Sequence, residues 1–209
     1  MQRIEIGHGS GGKLTRDLIE KTFLKYLKSE ELKPLEDAAT IELNSKVAFT
    51  TDSYVIHPLV FPCGNIGKRS VCGTVNDLTV SGALPKYLSL GLILEEGFHI
   101  ADLEKIMESI RDEAAKSGVR IVTGDTKVVE KNKCDGIYIN TTGVGEIVKP
   151  MSPADIIDGD AVIVTGTIGD HGIAIAIARN EFDIEASLES DCASLNSLLS
   201  PLLKIDGVR

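Results

Sequence analysis

The sequence contains no tryptophan, and aromatic residues make up only 4% of its 209 positions. Its core must therefore be aliphatic, drawn from the Ile, Val, Leu and Ala that dominate a hydrophobic fraction of 43%. No apolar run approaches the roughly 18 residues that span a bilayer, and the N-terminus lacks a basic-then-apolar signal. Cysteines are few and unpaired in sequence: Cys63, Cys72, Cys134 and Cys192 show no C-x-x-C spacing, and the histidines do not cluster with them. That argues against a zinc site and for a reduced, cytoplasmic protein with free thiols. Positive charge is also short. A formal net charge of −9 repels nucleic acid and anionic membrane surfaces. The same field repels a nucleoside triphosphate unless divalent cations bridge it to carboxylates, so an acidic ATP-binding chain should bring Asp residues together and require Mg²⁺.

The stretch that meets this requirement most directly is Val122-Thr123-Gly124-Asp125-Thr126-Lys127. The apolar approach from Val119 to Val122 reads as a short buried strand, with Gly124 letting the backbone turn where the strand leaves the core. A carboxylate, a hydroxyl and an ammonium then stand together, able to hold Mg²⁺ and to meet a phosphate. The competing reading is a plain strand cap, because Gly, Asp and Thr are ordinary turn formers. Other carboxylates in comparable settings favour the first reading. Asp37 lies among small residues, Asp52 follows the β-rich run Val47 to Thr51, and Asp77 lies inside a small-residue helix spanning about Ser70 to Gly82. A carboxylate at such a helical position is costly to desolvate without a partner.

Other segments read more simply. Gly7 to Lys13 matches the spacing of a P-loop, but Leu14 replaces the Mg²⁺-binding Ser or Thr. It is a flexible glycine-rich segment or a flap (Gly9, Ser10, Gly11, Gly12, Lys13) that closes over phosphates. Thr15 to Leu27 has the periodicity of an amphipathic helix, and Leu88 to Leu94 that of a strand. The spacing predicts a helix from Asp102 to Gly118 with Leu103, Ile106, Met107, Ile110 and Ala114 in the core. A polar turn at Lys131 to Asp135 precedes a β run from Ile137 to Val148. Lys149-Pro150-Met151-Ser152-Pro153 divides the chain into residues 1–150 and 151–209. Beyond it we expect a strand from Ala161 to Thr165, a helix from Ile173 to Arg179 with His171 capping the loop before it, and helix from Leu188 to Leu203.

The runs HGSGGK (8–13), FTTDSYVIHPLVFPCGNIGK (49–68), VCGTVNDLTVSGALPKYLSLGLILEEG (71–97), VRIVTGDTKVV (119–129), INTTGVG (139–145) and VTGTIGDHG (164–172) together resemble the HypE family of [NiFe]-hydrogenase maturation. That family is a branch of the superfamily that includes aminoimidazole ribonucleotide synthetase and selenophosphate synthetase. The resemblance implies an α+β fold with a mixed, mainly antiparallel sheet and helices on one face. It further implies that the N-terminal domain forms a barrel across a homodimer, followed by the start of a second α+β domain. It implies an ATP- and Mg²⁺-dependent carbamoyl dehydratase, which converts a carbamoyl group on a C-terminal cysteine into thiocyanate. The implied partners are a HypF carbamoyltransferase and a HypC–HypD complex. By motif match, Asp37, Asp52, Asp77 and Asp125 would organise metal and phosphate, with Gly124, Thr126 and Lys127 beside the phosphates.

Two departures qualify the resemblance. Cys63 replaces a glycine usual in the family, and no cysteine lies near Arg209, so the chain is expected to lack the acceptor. Cys192 belongs to an internal Ser-Asp-Cys segment. The competing functions are another ATP-using member of the superfamily, such as a thiamine phosphate kinase, and a non-catalytic dimerisation or partner-binding module.

Overall fold

The computed structural model describes residues 12–18, 39–42, 46–179, 181 and 188–209. Most of the helix to Leu27, and Asp37, lie outside the described residues, as do Gly9, Ser10 and Gly11 of the flap. Gly12 and Lys13 are described, and Lys13 opens a short helix, α1 (Lys13–Leu18).

Alternation of buried and exposed positions organises the centre of the chain into a sheet. Its strands are β1 (Ala39–Glu42), β2 (Lys46–Tyr54), β5 (Ala83–Glu95), β6 (Arg120–Val129) and β7 (Ile137–Ile147). A two-residue pair, β3 (Val60–Phe61) and β4 (Gly64–Asn65), stands apart from it. The spatial order is β1-β2-β7-β5-β6, antiparallel throughout except for the parallel β5–β6 pair. A parallel pair needs a crossover, which the chain supplies as a helix.

Among the described residues two helices cover one face, α2 (Ile66–Val80) and that crossover, α3 (Ile100–Ser117). The Asn65 side chain accepts from the Lys68 N–H at 3.0 Å and so caps α2. Its amide donates to Ser109 Oγ at 2.7 Å, tying the start of α2 to α3. Gly118, left-handed at φ 68°, stops α3 as its position in the sequence predicts. Between helices and sheet lie Ile66, Val71 and Val75 of α2, Ile106 and Ile110 of α3, and Leu88, Leu90, Ile137 and Ile139 of the strands. Each fully buried Leu or Ile of this kind stabilises by about 1.5–3 kcal/mol.

The small-residue side of α2 does what the sequence suggests and lets the helix sit close to β7. Thr74 and Thr141 hydroxyls meet at 2.5 Å, and a Cβ on Gly143 would come within 2.7 Å of Thr74 Cγ2 and 2.9 Å of Leu78 Cδ1. Past Ser81, which caps α2, Gly82 has φ 81°, and its carbonyl accepts from Val148 and Lys149 N–H at 3.0 and 3.2 Å. The chain leaving β7 is thereby fixed to the end of α2.

Several expectations need correction. The Val119–Val122 approach is not a buried strand. Val119 is buried, but Ile121 and Val122 are exposed because β6 is an edge strand with β5 as its only partner among the described residues. Gly124 is not a turn but a mid-strand residue, and a Cβ there would meet Leu90 O at 2.4 Å. Met107 lies on the shoulder of α3 and is exposed, whereas Ile106 and Ile110 point inward. Residues 161–165 form no strand. Val162 and Ile163 are almost fully exposed, with no partner strand beside them among the described residues. The last segment holds one short helix, α5 (Asn196–Leu199), and a 3₁₀ turn, not a continuous helix. Before it, α4 (Asp170–Ala178) starts three residues ahead of the expected Ile173, so His171 lies in its first turn and not in the loop before it. No described helix is long and apolar enough to cross a membrane.

The α2–α3 contact depends on Gly67, whose Cβ would lie 2.5 Å from the Ile106 carbonyl oxygen. A backbone atom cannot rotate aside, so Gly67→Ala is expected to destabilise by about 1–3 kcal/mol through helix displacement. A urea unfolding midpoint unchanged from that of the parent would show the helices to be farther apart than described.

Candidate functional site

The site grows from the alternation of β2. Ala48, Thr50, Asp52 and Tyr54 point toward the helices, and Phe49, Thr51 and Ser53 point to the open face. Strand β2 runs two residues past Asp52, so this acid lies inside the strand and not at its tip. Asp77 comes down from α2 onto the same surface, where Thr50 Oγ1 donates to its Oδ2 at 3.3 Å. Asp52 lies two residues farther along that face, its Oδ1 accepting from the Ser53 N–H at 2.8 Å. Two half-buried carboxylates from distant parts of the chain thus border the β2–α2 seam, Asp77 at Thr50 and Asp52 two residues farther along the strand.

Beneath Asp52 runs a chain of buried hydroxyls that single-residue scanning of the sequence missed. Tyr54 Oη and Thr74 Oγ1 are 3.2 Å apart, Thr74 meets Thr141, and Thr141 Oγ1 donates to the Ser70 carbonyl at 3.1 Å. Burial raises the Tyr54 phenol well above its ordinary range, and the Asp52 carboxylate adds to the rise. The phenol therefore stays a neutral hydrogen-bonding group that orders the floor of the seam. The period-two placement of Thr50, Asp52 and Tyr54 was the available signal.

The other predicted acids are not all brought here. Asp37 lies outside the described residues, and of Asp125, Thr126 and Lys127 only the backbone is described. Register places Asp52 opposite Thr141, Thr141 opposite Leu90, and Leu90 opposite Gly124. Asp125 is therefore three strands away from Asp52, roughly 14 Å at the ~4.8 Å spacing of neighbouring strands. Lys127, opposite Ile93, is farther along the same edge. Among the described residues no group of three or more His, Cys, Asp or Glu side chains stands together as a ligand set. Asp52 and Asp77 are hard oxygen donors of the kind Mg²⁺ takes, and the two fit such an ion as part of its shell, which it would complete with waters or phosphate oxygens.

The sheet's open face carries ordered polar rows. Thr142 Oγ1 donates to Thr51 Oγ1 at 3.0 Å, and the Asn140 amide donates to Ser53 Oγ at 3.0 Å. Exposed Phe49 and Tyr87, both in register with Val144, flank these rows on one side, and the Tyr138–Ile93 pair flanks them on the other. A separate cavity of about 840 Å³ lies between the α3 side of the fold and the loop before β7, lined by Glu95, Asp102, Lys105, Lys133 and Cys134 among others. Neither Asp52 nor Asp77 lines it.

Comparison with known proteins follows the same residues. The model of the AIR synthase related protein family, N-terminal domain, matches residues 35–147. Carbamoyl dehydratase HypE of Rhodobacter capsulatus is 46% identical over 207 residues, covering 97% of this chain and 61% of that protein. Among solved structures, HypE in a HypE–HypF complex superimposes with a TM-score of 0.84 at 45% identity, covering 89% of this chain and 61% of that one. HypE in complex with ATP gives a TM-score of 0.74 at 43% identity, covering 97% and 61%. This chain thus spans about three fifths of the length of the relatives it matches. The expected resemblance to HypE holds along nearly its whole length, as does the expected α+β fold with a mixed sheet. Because the matched domain takes in more than half of the residues and coincides with the sheet and its covering helices, the chain belongs to the family of AIR synthase related proteins.

Proposed function

We propose that this chain forms the Mg·ATP-binding part of a carbamoyl dehydratase that supplies the cyanide ligand in [NiFe]-hydrogenase maturation. The observation that carries the reading is the placement of Asp77 against Thr50, two residues along β2 from Asp52, in a fold similar to that of a HypE bound to ATP. On a chain of net charge −9, a triphosphate is held only where a divalent ion offsets repulsion between like charges. Mg²⁺ bound there supplies charge neutralisation for the phosphates. Asp52 and Asp77 hold the ion, Thr50 and the hydroxyl chain below fix their orientation, and the α2–β2 seam keeps both acids partly shielded from water. In this reading ATP activates the carbamoyl oxygen for loss, leaving thiocyanate on a cysteine. Cys192 is not that cysteine, since it is buried against Cys72.

Asp37 completes the metal set, with the flap Gly9, Ser10, Gly11, Gly12 and Lys13 closing over phosphates. Asp125, Gly124, Thr126 and Lys127 lie across the sheet, so they serve the same nucleotide only when a second copy presents them. That requirement supports a homodimer, and so does the open sheet face with its exposed Phe49, Tyr87 and Ile93. HypF is proposed as partner by similarity to the HypE of the HypE–HypF complex, and a HypC–HypD complex as acceptor of the cyanide. Residues 151–209 are the beginning of a second domain, a reading supported by exposed Ile156, Ile157, Val162 and Ile163, which require cover. The cytoplasm, where thiols stay reduced, is the proposed location.

Two outcomes are expected. Asp77→Asn should weaken Mg·ATP binding by about tenfold or more, since even residues that only support a metal ligand are worth that much. The circular dichroism spectrum should be unchanged, and calorimetry giving the parent affinity would remove Asp77 from the site. Light scattering at micromolar concentration should report a dimer, and a monomer would contradict the shared-site arrangement.

A further inference from the structure

Cys72 lies on α2 and Cys192 in the segment that leads to α5, 120 positions later, yet they pack in one buried cluster with Phe61 and Ile175. Both thiols are buried in that cluster, on opposite sides of the contact between α2 and the segment. Around them the segment is held to the helices by polar contacts at both ends. Asn76 Nδ2 donates to the Ala193 carbonyl at 3.0 Å and its Oδ1 accepts from the Leu195 N–H at 2.8 Å. Ser194 Oγ donates to Cys72 Sγ at 3.5 Å, and Ser117 Oγ donates to Ser194 Oγ at 2.7 Å. The Cys192 N–H donates to Ser190 Oγ at 3.1 Å. Residues 188–195 have no regular secondary structure, so their backbone can yield when two sulfurs draw together.

The charges around the pair differ for the two thiols. Cys192 has Cys72, Arg69 and Lys68 nearby, which hold it below the ordinary thiol range against the effect of burial. The same contact, burial and the Glu113 carboxylate push Cys72 up. One sulfur is thus prepared to become a thiolate nucleophile while the other keeps its proton. The remaining thiols are far less suited to pairing: Cys63 is exposed, and Cys134 lines the cavity near Glu95.

We propose that Cys72 and Cys192 form a redox-sensitive clasp, which closes to a disulfide under peroxide and fastens the 188–195 segment to α2. The Cys192 thiolate attacks one peroxide oxygen, breaking the O–O bond. It becomes a sulfenic acid, and the departing hydroxide takes a proton to leave as water. Cys72 sulfur then attacks the sulfenic sulfur, forming the S–S bond, and the Cys72 proton leaves with the displaced oxygen as a second water. Two thiols are oxidised and one peroxide is reduced. Cys72 lies five residues before Asp77 on the same helix, yet the clasp needs neither metal nor nucleotide.

The test uses the full chain, folded, treated with hydrogen peroxide, alkylated and digested without reductant. Mass spectrometry should find the Cys72 and Cys192 peptides linked, lighter than their sum by two hydrogen atoms and separated again by dithiothreitol. Cys192→Ser and Cys72→Ser should each abolish the link. Protease cleavage within 188–195 should slow several-fold in the oxidised parent and stay unchanged in the variants. A link that forms only in urea, or peroxide that oxidises Cys63 while Cys72 and Cys192 both remain alkylatable, overturns the proposal.

Discussion

Close approach of α2 to the sheet is the constraint on which the rest depends. Thr74 can touch Thr141 only because Gly143 leaves room beneath the helix, and Gly67 does the same on the α3 side. A bulkier helix would stand farther out, and the carboxylate of Asp77 would not reach Thr50. The spacing that packs the core therefore also brings the acid of α2 onto the strand that carries Asp52. Aliphatic side chains supply the cohesive energy, and the small residues set the distance at which it is realised.

The polar floor of this seam costs less than its burial suggests. A hydroxyl buried alone loses its water without compensation, whereas Tyr54, Thr74 and Thr141 pass hydrogen bonds along to the Ser70 carbonyl. Such a chain fixes the rotamers of its members. Asp52 and Asp77 consequently stand on a rigid base, a condition that metal and phosphate binding require of any site.

Periodicity made much of the fold legible. The alternation of Leu88 to Leu94 and of Ile137 to Val148, the stripe of α3 and its stop at Gly118 were all readable because each records its own local geometry. The resemblance extended that reading to the fold as a whole. Four things were not readable. Ile121 and Val122 look like core residues, but lie on an edge strand, and a sequence does not state which strands are outermost. Gly124 resembles a turn glycine, although what it avoids is the Leu90 carbonyl on a neighbouring strand. Ala161 to Thr165 carries a strand's composition but has no partner strand among the described residues. Tertiary packing alone sets Asp77 at Thr50, two residues from Asp52, and no spacing rule predicts that Asp125 stands three strands away from Asp52.

The junction at Gly82 governs whatever follows the sheet. Its carbonyl receives the N–H groups of both Val148 and Lys149, and a side chain there would collide with the Lys149 oxygen, which the missing Cβ clears by design of the backbone alone. The exit angle of the polypeptide is accordingly dictated by the same helix that carries Asp77. Any tilt of that helix would swing the downstream residues as a rudder post swings its blade, so the acid and the emerging chain share one mechanical axis.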